Sequence, residues 1–285
     1  MTNLILIAKY DIKESLRSKW FLLYMLIFGA LIAFFLITGV VDSRVAGFSG
    51  LSRMLLLFIQ ICIVILPIFI LIATTRSISK DREMGNLEYL LSFSISLKEY
   101  FFGKVLGRAF VIIVPMLLSL LLALILAFFK GASLNLSVFL MINLLLLSLA
   151  FVFLAFGFCI SALIKNSEFA LGFAFLLWIF LLAFMDLTLI GLMMKSGVSE
   201  NVIYGVALAN PLQTFRIGAM ALFDPNLSVI APAAYFILEK FSEFALLTFA
   251  VIYPLLLGAL CLSLGYFVFS KKGFGMKYAV LLILF

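Results

Sequence analysis

Long apolar runs recur through this sequence, and they lack the polar–apolar alternation that is typical of barrel strands. In lipid, every backbone amide and carbonyl group must be paired within the protein, so only helices and closed barrels can cross a membrane. Since the runs reach the roughly 20 residues that a membrane helix needs, they predict helices. The composition agrees, because only 12% of the residues are charged, against about 25% in a soluble domain. We therefore predict an all-α, polytopic membrane protein.

The lengths of these runs predict six membrane spans. The spans cover about residues 20–41, 54–75, 105–129, 136–164, 169–194 and 244–269. Residues 1–19 repeat an apolar side chain at every fourth position between basic residues, which predicts an interfacial helix on the cytosolic leaflet. Its apolar face would consist of Leu4, Ala8, Ile12, Leu16 and Trp20. Residues 270–273 are predicted to stop the last span, and the apolar tail beyond them is too short to cross a membrane.

Positive charge is distributed unevenly over the predicted loops. With a cytosolic N-terminus, 14 of the 20 Lys and Arg residues fall in cytosolic segments and the other 6 fall outside. Such a bias sets the orientation of membrane proteins. It predicts that both termini and segment 76–104 are cytosolic and that segment 195–242 lies outside. The net charge of +7 therefore indicates topology rather than binding to nucleic acid.

The polar segment 76–107 has a predictable local structure. Residues 76–83 should continue the second span as a charged helical end, and Gly85 should end it in the left-handed conformation. Asn86 should cap a short helix, with Glu88 in the first turn, where the helix dipole favours an acid. One side of this helix would carry Leu87, Leu90 and Leu91. Composition alone leaves open an ordinary solvated loop with a basic edge.

Two glycines open the third span, at positions 103 and 107. Glycines four residues apart lie on one face of a helix and allow another helix to approach closely. The pattern predicts a tight helix–helix contact at this end of the span.

The runs DREMGNLEYLLSFSIS and KEYFFGKVLG together resemble the signature of ABC-2 type transporter permeases. Asn86 and Ser94 depart from it, since Thr and Pro are usual there. The matching residues are Arg82, Glu83, Gly85, Leu87, Glu88, Leu90, Leu91, Gly103, Lys104 and Gly107. The resemblance implies that residues 1–285 form a single transmembrane permease domain of the type V exporter kind. It also implies a homodimer in the bacterial inner membrane.

In that family this segment is the coupling helix that docks on an ATP-hydrolysing partner subunit. The resemblance therefore implies that the matching residues, with Lys98 and Glu99, couple this chain to an ATPase. The sequence has no G-x-x-x-x-G-K-[ST] phosphate loop, so we expect ATP and Mg²⁺ to bind the partner. No catalytic pair and no metal site is predicted, because Asp186 stands alone within its span and His is absent. An intramembrane enzyme is the less favoured interpretation.

Three polar residues within the spans are candidates for a translocation path: Asp186, Gln60 and Asn143. A carboxylate at membrane depth is costly and often functional. Asp186 could equally be protonated or lie near the outer interface. Gln60 and Asn143 could instead donate hydrogen bonds between helices.

Segment 195–242 is predicted to hold a short amphipathic helix, LQTFRIGAMALF, at the outer surface, where it docks a partner or shields the dimer seam. Its residues Asn210, Pro211, Phe215 and Arg216 resemble an element of the NosY-type permeases, which serve the maturation of nitrous-oxide reductase. That resemblance implies a NosF-like ATPase in the cytosol and a NosD-like periplasmic protein above Arg216. The cargo would be a sulfur or copper species for the copper centre of the reductase.

Copper itself is a doubtful passenger, because membrane copper relays favour His, Cys and Met ligands and this chain has no His. A NosY-type subunit with this sequence would transmit mechanical work or pass a sulfur species. The alternative is a general ABC-2 exporter of a lipid, glycan or drug.

Overall fold

The computed structural model describes residues 2–17, 23, 26, 30, 49–92, 95–129, 136–195, 197–223 and 242–283. Every regular element within these ranges is helical, as the apolar runs predict. The helices are α1 (Thr2–Leu16), α2 (Ser49–Glu83), α3 (Asn86–Ser92), α4 (Leu97–Phe129), α5 (Leu136–Leu163), α6 (Ser167–Ile179), α7 (Met185–Met194), α8 (Glu200–Ala209), α9 (Pro211–Phe223) and α10 (Glu243–Ile283). A π-helical turn, Phe180–Phe184, joins α6 to α7.

Five stretches of these helices are long and apolar enough to cross a membrane. They are Ile59–Glu83, Leu97–Leu118, Ser137–Leu163, Ser167–Met194 and Phe244–Lys271. Each overlaps one of the predicted spans two to six. The first predicted span, at 20–41, falls almost wholly outside the described residues, so the count of six stays a prediction.

Helix α5 lies at the centre of the bundle. Its side chains Leu145, Leu149, Phe153 and Phe158 have no exposed surface. Helices α2 and α10 pack along it, and α9 fills the space between these three helices. Helix α1 packs on the first turns of α4 instead and stays apart from this centre.

The prediction that the segment LQTFRIGAMALF lies at the outer surface is wrong for α9. The break at Asn210-Pro211 is where the sequence indicates it, because α8 ends at Ala209 and α9 begins at Pro211. However, α9 is buried in the bundle rather than lying on an outer surface. Its buried residues include Leu212, Phe215, Ile217, Ala219, Met220 and Ala221. These apolar side chains project from most sides of α9. A helix that is apolar on nearly all sides is stable only when other elements cover it.

Helix α10 continues to Ile283, through the residues 270–273 that are predicted to stop the last membrane span. The candidate membrane span found in the described part of α10 covers Phe244–Lys271. Lysine is a good helix former, and its long stem can lie along apolar surface while the ammonium stays in water. Lys271 does this, with its Nζ atom 4.4 Å from the centre of the Phe267 ring.

Helix α1 forms where it is predicted, but it buries a different row of side chains. Ile7, Asp11 and Ser15 face α4 and are buried, whereas Leu16 of the predicted apolar face is 47% exposed. Leu4, Ala8 and Ile12 lie half-buried beside that row. An apolar repeat does not predict this buried row, because two of its three side chains, Asp11 and Ser15, are polar.

Candidate functional site

The end of the bundle that carries α3 holds most of the predicted site residues. Helix α2 ends at Glu83, and Gly85 has a φ angle of 73°. This left-handed conformation is the one predicted, and it lets the chain reverse direction into α3. The Tyr89 amide donates to the Gly85 carbonyl oxygen at 3.2 Å. Gly85 therefore precedes the first helical residue, and Asn86 lies one position inside the helix that it was predicted to cap.

Helix α3 turns its leucines inward. Leu87 is 1% exposed, and Leu90 and Leu91 pack half-buried against the main core. The opposite side of the hairpin faces outward, with Met84 and Tyr89 exposed by 63% and 66%. We call this outward surface the apex; it consists of Met84, Asn86, Glu88 and Tyr89. Met84 and Tyr89 are not among the predicted coupling residues, although both are exposed on the opposite side of the hairpin from the three leucines.

Glu83 bonds to the turn that leads from α5 into α6, and Arg82 bonds to the last turn of α5. Glu83 accepts hydrogen bonds from the Ser167 hydroxyl at 2.6 Å, from the Ser167 amide at 3.2 Å and from the Asn166 side chain at 3.2 Å. Arg82 donates to the Ala162 carbonyl at 2.8 Å, and its guanidinium lies 5.2 Å from the centre of the Phe269 ring. These two residues therefore hold α2 to its neighbours, although Glu83 itself is exposed.

Further bonds attach the same end of α2 to α5 and α6. The Ser161 hydroxyl accepts from the amides of Ile78 and Ser79, at 2.9 and 3.0 Å. Arg76 forms an exposed ion pair with Glu168 at 2.6 Å. The base of the hairpin is thus bonded to two other helices, so that the hairpin and the helix ends beneath it form one unit.

A buried charge cluster lies on the other side of α2. Lys104 of α4 is 3% exposed, and its Nζ atom lies 2.9 Å from Asp81 and 3.2 Å from Asp11 of α1. Arg108 also pairs with Asp11, at 3.0 Å. The Tyr100 hydroxyl donates to Asp81 at 2.5 Å. Burial raises the pKa of the Asp11 carboxyl, while Arg108 and Lys104 act to lower it.

The two glycines of α4 explain how α1 reaches this cluster. A Cβ atom on Gly103 would lie 2.9 Å from Ile7, and one on Gly107 would lie 2.9 Å from Asp11. The close approach predicted from this pair is therefore confirmed, and the helix that approaches is α1. Of the remaining predicted coupling residues, Lys98 is exposed. Glu99 accepts hydrogen bonds from the amide and hydroxyl of Ser96, at 3.0 and 2.9 Å.

The three candidate path residues do not converge. Asn143 donates to the Phe139 carbonyl of its own helix at 2.7 Å, which corrects the prediction of a bond between helices. Gln60 is exposed on α2. Asp186 lies 3.2 Å from Arg216 of α9 and also accepts a hydrogen bond from Gln213. Asp186 is thus a paired carboxylate, whereas the sequence predicts one that stands alone.

The four residues predicted to contact an outer partner are engaged inside the protein. Asn210 is fully buried and donates to the Leu181 carbonyl in the π-helical turn at 2.7 Å. Pro211 is buried, and Phe215 is 2% exposed. Arg216 has a side chain 12% exposed and pairs with Asp186. As placed here, these residues anchor α9 to the bundle and leave little surface for another chain.

Comparison with known proteins identifies what this chain is similar to. Residues 5–274 match the model of a family described as ABC-2 family transporter protein. A probable ABC transporter permease protein NosY from Stutzerimonas stutzeri is 23% identical over 227 residues, which cover 76% of this chain and 81% of that protein. A probable ABC transporter permease protein NosY from Pseudomonas aeruginosa is 26% identical over 227 residues, which cover 76% of this chain and 82% of that protein.

Proposed function

Because this chain belongs to the ABC-2 transporter family, we propose that its apex docks on a separate subunit that hydrolyses ATP. The exposed apex carries this proposal, since Met84 and Tyr89 are large apolar side chains that stand in solvent at the end of a helical hairpin. Aromatic side chains and Met are enriched in protein interfaces. Glu88 adds a charge to the same surface.

The bonds beneath the apex support a mechanical role. A partner that moves the apex would move α2 directly and α5 and α6 through Glu83, Arg82 and Ser161. It would also move α4 and α1, through the ion pairs of Lys104 with Asp81 and Asp11. ATP binding and hydrolysis in the partner would therefore tilt the spans as a group. Coupling of this kind needs a rigid connection rather than a catalytic residue in this chain.

A homodimer is part of the proposal. Helices α6 and α7 carry a continuous row of exposed apolar side chains: Phe169, Phe173, Leu176, Phe180, Phe184, Leu187 and Met194. This span is the least covered by the rest of the chain among the five. A second copy that packs on this row would place two apexes side by side for two ATPase subunits.

The finer proposal concerns the system that this permease serves. Its similarity to permeases named NosY, with the resemblance drawn from the sequence, favours a role in the maturation of nitrous-oxide reductase. The ATPase would be NosF-like, a NosD-like protein would act outside the membrane, and the cargo would be a sulfur or copper-related species. The chain would lie in the bacterial inner membrane with both termini in the cytosol.

The docking proposal is tested by substitution of one apex residue. Tyr89→Asp should reduce co-purification of the ATPase at least tenfold, because interface aromatic residues often contribute about 2 kcal/mol or more. Tyr10→Asp is the matched control, since Tyr10 is exposed by 63% on α1. The measurement is the ratio of ATPase to permease after affinity purification. An unchanged ratio for Tyr89→Asp, or an equal loss in both variants, would contradict docking at the apex.

The finer proposal is tested by identification of the partners. The chain is purified by affinity from native membranes, and the proteins bound to it are identified by mass spectrometry. Recovery of an ATPase together with a periplasmic protein similar to NosD would support the maturation role. Recovery of an ATPase alone would favour a general exporter of a lipid, glycan or drug.

A further inference from the structure

The π-helical turn Phe180–Phe184 divides one membrane span into two halves that have different neighbours. Below the turn, α6 packs on α2 and contributes Ala170 and Ala174 to the main core. Residues 185–194, all of which the structure describes, contribute nothing to that core. Helix α7 belongs instead to a second apolar cluster, which consists of Leu189, Tyr204, Ala207, Ile217, Met220 and Leu246. The two halves of the span can therefore change position separately.

The same turn sets the direction in which α7 faces. Asp186 follows the buried Ala174 by 12 residues. In a straight α-helix, at about 100° per residue, Asp186 would lie about 120° away from that buried side. A π-helical turn bonds each amide five residues back instead of four and so takes up one extra residue. This brings Asp186 round by about 100°, to where it meets Arg216 of α9.

The residue that precedes α9 bonds to a carbonyl group inside the turn. In an α-helix the Met185 amide would donate to the Leu181 carbonyl. Here the Met185 amide donates to the Phe180 carbonyl, and the side chain of Asn210 donates to the Leu181 carbonyl at 2.7 Å. An unpaired carbonyl is costly within a membrane. The buried Asn210 therefore stabilises the π-helical form of the turn.

Helix α9 holds α7 at a second point and is itself fixed. Asp186 pairs with Arg216 at 3.2 Å and accepts a hydrogen bond from Gln213. Leu212 and Phe215 anchor α9 in the main core. Helix α7 has few such anchors, since its side chains are exposed by 65%, 52% and 83% at Leu187, Ile190 and Met194. Elements with few buried contacts open most readily.

We propose that the π-helical turn is a hinge at which α7 turns away from α9. The side chains of Asn210, Gln213 and Arg216 form the latch that holds the hinge closed. When the latch opens, the Met185 amide bonds to the Leu181 carbonyl as in an α-helix, and Asp186 leaves its partners. Movement of α6 reaches α7 through this hinge, so the latch decides whether the far end of the span follows.

Amide hydrogen exchange, measured by mass spectrometry on the purified full-length protein in detergent, tests the latch. Asn210→Ala should raise the exchange rates of residues 182–194 at least about tenfold and leave those of residues 168–177 unchanged. Arg216→Gln should have the same effect, because it removes the cation that pairs with Asp186.

Asn143→Ala and Arg76→Gln are the matched controls. Asn143 is a buried asparagine whose side chain donates within its own helix, to the Phe139 carbonyl. Arg76 joins α2 to α6 through Glu168, on the other side of the turn from α7. Both variants should leave the exchange of residues 182–194 as it is in the parent protein.

Deletion of Ala183 tests whether the turn directs Asp186. The deletion removes the extra residue and should turn Asp186 away from Arg216. In this background Arg216→Gln should cause no further change in the exchange of residues 182–194, because the pair is already broken. A full effect of Arg216→Gln in the deletion variant would show that the turn does not set the direction of α7.

Two other results would overturn the hinge itself. A rise of equal size in residues 168–177 and 182–194 for Asn210→Ala and Arg216→Gln would mean that these residues anchor the whole bundle. Exchange at the parent rate in both variants would mean that they do not hold α7. None of these results depends on whether the apex docks on an ATPase.

Discussion

At the scale of single residues, two glutamates of the same signature make different contacts. Glu83 accepts three hydrogen bonds from the turn between α5 and α6. Glu88 lies exposed on the apex. A charge reversal at both positions would confuse damage to the fold with loss of docking, so the two residues should be changed separately.

Glu83→Ala should lower the thermal unfolding midpoint in detergent, because Ser167 and Asn166 lose their acceptor. Glu88→Ala should leave the midpoint unchanged and reduce ATPase co-purification instead. Both variants are followed by a fluorescence unfolding scan and by the ratio of ATPase to permease. A drop in the midpoint for Glu88→Ala, with none for Glu83→Ala, would reverse the two assignments.

Lys104 should stabilise the fold because its ammonium group is buried between two carboxylates. Its removal by Lys104→Met would leave Asp11 and Asp81 without their shared cation in a site of low polarity. Breaking a buried ion pair in this way should cost about 3–5 kcal/mol of stability. Lys98→Met is the control, since Lys98 is exposed, and it should change stability by less than about 0.5 kcal/mol. Similar unfolding midpoints for the two variants would show that the cluster contributes nothing to stability.

At the scale of elements, α1 packs against α4 at one end of the bundle, so protein contacts as well as lipid hold it in place. It reaches α4 because Gly103 and Gly107 have no side chains to keep it away. The charge cluster then joins the two helices at Asp11. Small residues and polar bonds are the two means by which helices associate in membranes, where apolar contact by itself gives little preference.

Two glycine-to-alanine changes should have opposite effects on stability. Gly103→Ala should destabilise by about 1–3 kcal/mol, because the new Cβ would lie 2.9 Å from Ile7. Gly172→Ala on α6 has nothing within 4 Å of the new atom, so better helix propensity should stabilise by up to about 1 kcal/mol. Unfolding midpoints of the two purified variants provide the comparison. Stabilisation by Gly103→Ala would mean that α1 does not pack on α4 in the membrane.

At the scale of the whole molecule, the exposed row on α6 and α7 is where a second copy would pack. Lipid could cover the same row, since hydrocarbon is as apolar as leucine. Leu260 on α10 offers a comparison, because it is exposed by 63% on a helix that does not pack on α6.

Leu176→Cys should form a disulfide-linked dimer in native membranes when all three native cysteines are replaced by alanine. Leu176 is 65% exposed on α6, and a homodimer through this row would bring two copies of it together. Leu260→Cys in the same background should remain monomeric. Both are read from non-reducing gels after mild oxidation. A dimer band for Leu260→Cys alone would place the interface on α10.

The sequence predicts which segment holds the candidate site, but it does not predict which of its side chains form the exposed surface. The signature points to residues 82–107, and the structure places most of the described ones at one end of the bundle. It does not separate Glu83, which bonds to Asn166 and Ser167, from Glu88, which belongs to the apex. A short sequence motif indicates which residue types are needed, whereas the bonding partners of Glu83 lie 83 and 84 residues later in the chain.

The sequence by itself determined that this protein is helical and where five of its spans lie. Helix formation in lipid is a local requirement, since each span must pair its own backbone groups. Local chemistry also determined the left-handed turn at Gly85 and the break before Pro211. Tertiary structure alone decided that α9 is buried, that α1 packs on α4 and that Asp186 has a cation partner. The reason is that an apolar side chain can face either lipid or another helix, and only the arrangement of the other helices distinguishes the two.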